Sequence, residues 1–192
     1  MITIKKSPGE EVCRIHRRLV MKKILPAALA VALIAVATSS WTQLTYHGLK
    51  AEDFVEYITV ADPYTKWQMW PVKGKLHKGR APHGHGALVT IYVNRAAFGS
   101  IEGKKGMAEG SIIVVENYDP DKNLTGLTTM YKVDGYNPDA GDWYWLEATP
   151  GGKVVRFGKV QPCIDCHRAQ ARNGYIWTGE VVKGAYRGRA TP

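Results

Sequence analysis

Cys163-Ile164-Asp165-Cys166-His167 sets two thiols three positions apart, with an imidazole directly after the second. On one helical turn such thiols can each add to a vinyl group of a porphyrin while the adjoining His offers a ring nitrogen to the iron, and C-x-x-C-H is the attachment signature of c-type haem. Pro162, just ahead, suits a helix start, where a missing N–H is tolerated. Three other chemistries use parts of the motif. A thioredoxin-like redox pair uses C-x-x-C near a βαβ pattern, whereas here the motif follows a β-rich chain with only twenty-five residues after His167. A structural zinc site needs four ligands, so His83 and His85 would have to join the two thiols. A plain disulfide suits an oxidising compartment, but its ring would be tight and the His incidental. Haem attachment is the reading on which the intact motif, the signs of export and the cysteine count agree: the third cysteine, Cys13, lies far upstream.

The signs of export lie in residues 1–37. Ile24 to Ala37 reads ILPAALAVALIAVA, an uncharged apolar run preceded by Met21-Lys22-Lys23 and ending Ala35-Val36-Ala37. This is the pattern of a cleavable signal peptide, and the run is shorter than the roughly 20 apolar residues of a spanning helix. The expectation is a periplasmic protein rather than a membrane-anchored one. Glu10 and Glu11 fit poorly in a signal n-region, so Met21 is a candidate true start. The net charge of +9 is largely a property of this leader: residues 1–37 hold seven Lys/Arg against two Asp/Glu, which leaves +4 for the rest. Charge that modest, scattered and interleaved with acids, gives no nucleic-acid footprint.

The elements that must position the motif come before it. Residues 49–60 (LKAEDFVEYITV) place Leu49, Phe54, Val55 and Ile58 at helical spacing, which predicts a short amphipathic helix. Lys66 to Gly86, rich in Gly, Pro, Lys and His, reads as a structured loop or ragged edge strand. From Ala87 onward, ALVTIYVN, SIIVVENY, LTTMYKV, DWYWLEA and KVVRFG are β-branched or aromatic runs separated by turn residues, which predicts successive antiparallel strands. Such a meander can bury one face against a helix or cofactor and leave the other to solvent or a second subunit. The expectation is one α+β domain over 38–182, mainly antiparallel sheet with a few short helices. Residues 183–192 read as a loose tail.

With the C-terminal C-x-x-C-H stand further segments in a fixed order. They are Trp70-Pro71, His85-Gly86 leading to Tyr92-Val93-Asn94, EGSIIVVEN at 109–117, Met130-Tyr131-Lys132 and Gly141-Asp142-Trp143-Tyr144-Trp145. Together they resemble the cytochrome P-460 family over about residues 50–180. The resemblance implies a periplasmic, mainly antiparallel β domain, usually a homodimer. It would hold one covalent haem c through Cys163 and Cys166, with His167 as proximal iron ligand and an open position opposite. Members that oxidise hydroxylamine also carry a lysine bonded to the haem edge, and the matching position here is Val115. An aliphatic side chain cannot form that bond, so the sequence looks closer to the relatives called cytochromes c-prime-beta, which bind nitric oxide and carbon monoxide.

Strand alternation turns Ile113 and Val115 to one face and Glu116 to the other, so the first two are candidates for a distal haem wall as well as for ordinary sheet core. A wall of that kind offers few hydrogen bonds and favours neutral diatomic ligands. The leading expectation is thus a monohaem cytochrome binding nitric oxide or a related small nitrogen species. The alternatives are an enzyme oxidising hydroxylamine or nitric oxide, and a six-coordinate electron carrier using His83, His85 or a methionine. Met69, Met107 and Met130 read more simply as packing residues, His83 and His85 as loop groups. Trp143 and Trp145 should face one way and Tyr144 the other.

Overall fold

The computed structural model describes residues 49–80 and 84–185. The chain divides into Met1–Thr45 and Tyr46–Pro192. The leader, Met21, His47, His83 and residues 186–192 lie outside the described residues, and the following concerns the second unit. Among the described residues no helix is long and apolar enough to cross a membrane.

The amphipathic segment forms α1, Ala51–Glu56, which widens into a π-helical turn at Tyr57–Ala61. Ala51, Phe54, Val55 and Ile58 recur at intervals of three, one and three, and they are the residues this segment buries. A 3₁₀ turn at Tyr64–Lys66 leads to β1 (Gln68–Met69) and β2 (His77–Lys78). Both are two-residue strands against the outer edge of β3 (Leu88–Val93), β1 beside Tyr92 and Val93, β2 beside Leu88 and Val89. The Gly- and Pro-rich stretch is therefore the ragged edge its composition suggests.

After β3 comes α2, Arg95–Gly103, a helix that the β-branched runs do not announce. Its signal is Asn94, whose Oδ1 accepts from the N–H groups of Ala97 and Ile112 while Nδ2 donates to the Gly110 carbonyl. One amide caps the helix and fixes the start of the next strand. Then follow β4 (Ile112–Tyr118), β5 (Leu124–Lys132), β6 (Trp143–Ala148), β7 (Val154–Gly158) and α3 (Gln161–His167). The sheet runs β1-β3-β4-β5-β6-β7, with β2 also on β3 and every pair antiparallel. Each of the five β-rich runs yields one strand, so the fold is the α+β type that the patterning predicts.

The structure departs from the sequence reading in that both sheet faces are covered. On one, Tyr92, Ile112, Val114, Leu127, Tyr131, Tyr144 and Leu146 meet Phe54, Val55 and Ile58 of α1 and its π turn. Glu116 also lies on this side, buried, accepting from the hydroxyls of Tyr64 and Tyr118 at 3.0 and 2.7 Å. Burial first, then the neighbouring carboxylate, pushes the Tyr118 phenol up to about 12. On the other face two cross-strand rows run side by side. The first is Val93, Ile113, Met130, Trp145 and Gly158; the second is Ile91, Val115, Thr128, Glu147 and Arg156. Ala97 and Ile101 of α2, Ile164 of α3 and the segment from Tyr175 to Val181 cover this side.

That covering segment is held by one amide. Asn173, fully buried, donates from Nδ2 to the carbonyls of Ile176 and Gly179, both at 2.8 Å. Its Oδ1 accepts from Val181 and Val182 at 2.9 and 3.1 Å. The side chain's capacity on both atoms is used. Asn173→Ala orphans four backbone groups in one place and is expected to lower stability by about 3 kcal/mol or more in urea unfolding. Asn173→Asp keeps the acceptors but loses both donors and buries a charge, so it should fare no better; an unfolding midpoint unchanged in either variant would contradict the assignment.

Candidate functional site

Gln161–His167 forms a helix because Pro162 sits in its first turn and Ile164 points into the core, 3% exposed. Cys163 is half-buried, and Cys166, which is exposed, is likewise a free thiol. The Cys163 Sγ lies 3.7 Å from Glu147 Oε1 on β6. Burial, reinforced by that carboxylate, pushes the Cys163 thiol up to about 12.

His167 closes the helix, and the chain then turns through a 3₁₀ segment, Arg168–Asn173, into Gly174 and Tyr175, both left-handed at φ 63° and 67°. This reversal brings the Tyr175 carbonyl 2.7 Å from His167 Nδ1. Nδ1 must be the donor, so Nε2 keeps its lone pair, the arrangement that fixes tautomer and ring orientation in metal-ligating histidines. Burial pushes the His167 pKa down to about 4, against the pull of that hydrogen bond, so the ring is neutral near pH 7. The carbonyl is itself well fixed. The Tyr175 ring packs so closely on Gly141, which has a φ of 72°, that a Cβ there would come within 2.6 Å of it. Trp143 Nε1 donates to the adjacent Gly174 carbonyl at 3.0 Å.

Around His167 the structure gathers residues from three strands and a loop. The Trp145 ring lies edge-on, 4.8 Å between centroids. His85 is 6.1 Å away by the same measure. Its Nδ1 is 3.2 Å from both Asn117 Oδ1 and Thr128 Oγ1. Asn117 Oδ1 also accepts from the Gly86 N–H at 3.1 Å, and its Nδ2 faces the Val115 and Gly126 carbonyls and Thr128 Oγ1, so the amide's orientation is settled. Gly86 makes this possible: a Cβ there would sit 2.4 Å from the Tyr118 nitrogen, too close for any other residue. Desolvation lowers the His85 pKa as well. Arg80, whose guanidinium stacks 4.0 Å over the Trp177 ring, lowers both imidazoles further.

Of the residues singled out in the sequence, Ile113 and Val115 lie on this face of β4, in the rows of Trp145 and Thr128 respectively, while Glu116 lies on the other. Met130 and Met107 are buried in the core of this side and Met69 is exposed at the sheet edge. Trp143 and Trp145 share the site's face and Tyr144 the opposite one. His85 is on the loop before β3, as its reading as a loop group has it, and faces His167; Asn117, Thr128, Glu147 and the Tyr175 carbonyl stand with them without having been singled out. Alternation from Val115 points to Asn117, and the hairpin register to Thr128 and Glu147, so the face is less apolar than Ile113 and Val115 alone suggest.

The donor chemistry fits a c-type haem. A protonated half-buried thiol, a second thiol one turn on, and a neutral imidazole with a free Nε2 stand on one helix. The buried Trp145 indole N–H, beside His167, has no hydrogen-bond partner among the described residues. Among the described residues no three His, Cys, Asp or Glu converge on a metal position of their own.

No curated protein matches the chain. The family model for Cytochrome P460 matches residues 62–178, from the 3₁₀ turn before β1 to just past the Tyr175 carbonyl. That span exceeds half of the chain and holds the C-x-x-C-H helix with every strand, so the chain belongs to the cytochrome P460 family and has that family's haem as its cofactor.

Proposed function

We propose that this is an exported, periplasmic monohaem cytochrome. Its haem is bonded to Cys163 and Cys166, His167 is the proximal iron ligand, and the second axial position is available to nitric oxide or a related small nitrogen species. The observation that carries the reading is the 2.7 Å bond from His167 Nδ1 to the Tyr175 carbonyl, which holds a neutral imidazole with Nε2 ready for iron at the end of the C-x-x-C-H helix. Attachment is redox-neutral, since each S–H adds across one vinyl C=C, sulfur to one carbon and hydrogen to the other.

When bound, the haem supplies an iron that takes a diatomic ligand or exchanges an electron. The chain's own part is positioning. His167 is oriented by Tyr175, Trp145 packs its edge against the ring, and Ile113 and Val115 present hydrocarbon from β4. Val115 stands where hydroxylamine-oxidising relatives carry the crosslinking lysine, which supports the c-prime-beta type over the enzymatic alternative. A homodimer and an electron partner protein complete the reading; nothing in the charge pattern favours nucleic acid.

Protein matured in a host competent for c-type assembly is expected to carry one porphyrin mass that survives acid–acetone extraction. Cys163→Ala with Cys166→Ala should release it. A wild-type chain whose pigment extracts, or that gains no porphyrin mass, would overturn the attachment. In the reduced state, added nitric oxide or carbon monoxide should shift the visible spectrum of the wild type, and His167→Ala should alter that spectrum while keeping the covalent mass. A reduced haem indifferent to both gases would end the ligand-binding proposal.

A further inference from the structure

Of the sixth-ligand candidates that the sequence offers, His85 is the one the structure brings against His167. Two imidazoles on opposite sides of one metal, with bonds of about 2 Å each, have ring centres about 6 Å apart. The His85 and His167 centroids are separated by 6.1 Å. Both rings are held by their far nitrogens. His167 Nδ1 donates to a carbonyl, and His85 Nδ1 faces an amide oxygen whose identity is fixed by the Gly86 N–H and by the Nδ2 contacts on its other side. Each Nε2 therefore keeps its lone pair.

The two tethers differ in strength. His167 sits on a helix and makes one bond of 2.7 Å, whereas His85 comes from the loop between β2 and β3 and makes two contacts of 3.2 Å. If one ring leaves the iron, it is His85. Met130, another candidate donor on this face, is packed between Ile113 and Trp145 in the first cross-strand row and is 8% exposed.

We propose that His85 is a displaceable axial ligand. In the ligand-free protein its Nε2 holds the iron position opposite His167, and a diatomic ligand binds by taking its place. This rests on the haem reading above and refines it: the second axial position is guarded rather than vacant. Val115 and Ile113 then serve as the apolar surround into which the gas enters, and Asn117 and Thr128 as the cradle to which His85 returns.

The test uses the full haem-loaded protein. Absorption and electron paramagnetic resonance spectra of the wild type, with no ligand added, are expected to be low-spin. His85→Ala should be high-spin, regain the low-spin spectrum on addition of free imidazole, and bind carbon monoxide about tenfold or more tightly, because no internal competitor remains. Met130→Leu should stay low-spin. A high-spin wild type, a low-spin His85→Ala, or conversion by Met130→Leu instead would each overturn the proposal. Should His85→Ala fail to mature, wild type labelled with ¹⁵N-histidine decides the matter: two iron-bound imidazoles are expected, and one alone would refute it. Loss of the covalent porphyrin mass, by contrast, would mark failure of the haem reading itself.

Discussion

An imidazole serves a metal well only when it is neutral and when its far nitrogen holds it still. The bond between His167 Nδ1 and the Tyr175 carbonyl meets the second condition, and the ring's enclosure meets the first. Much of the surrounding structure keeps that one carbonyl in place. Two successive left-handed residues reverse the chain, a tyrosine ring is seated on a bare glycine, and an indole N–H grips the neighbouring carbonyl. Asn173 ties down the loop that follows with four hydrogen bonds. A non-glycine residue in the left-handed region costs of order 1–3 kcal/mol, and Tyr175 persists there because its ring and backbone are fixed from several sides.

Much of this was legible in the sequence, for identifiable reasons. Strands of β-branched and aromatic residues separated by turn residues announce themselves, and β3 through β7 each arise from one such run. The C-x-x-C-H helix is legible because its chemistry is local: spacing along a single turn is enough. α2 escaped because Arg95 to Gly103 carries two glycines and little apolar periodicity beyond Ala97 and Ile101, so the helix depends on its Asn94 cap. His85 escaped for a different reason. Nothing within its own segment shows that Gly86 lets the loop lie flush on β4, because that contact joins residues more than thirty positions apart.

The same distinction separates what Val115 says from what its surroundings say. Read alone, an aliphatic residue at position 115 implies an inert hydrocarbon wall. Read in register, Val115 is flanked on its own strand by Asn117 and across the hairpin by Thr128, with Glu147 one strand further. The face combines greasy and hydrogen-bonding groups: the row through Trp145 is largely apolar, and the row beside it passes from Ile91 and Val115 to Thr128, Glu147 and Arg156.

The cluster of tyrosine hydroxyls on Glu116 acquires a wider meaning from where it lies. It holds β4 from behind, on the side away from the imidazoles, through contacts that the strand's front-facing side chains do not make. A protein anchored in this way can exchange one front-facing residue for another over evolutionary time without losing its architecture. Descendants of a common ancestor are then free to diverge in reactivity while inheriting the same scaffold.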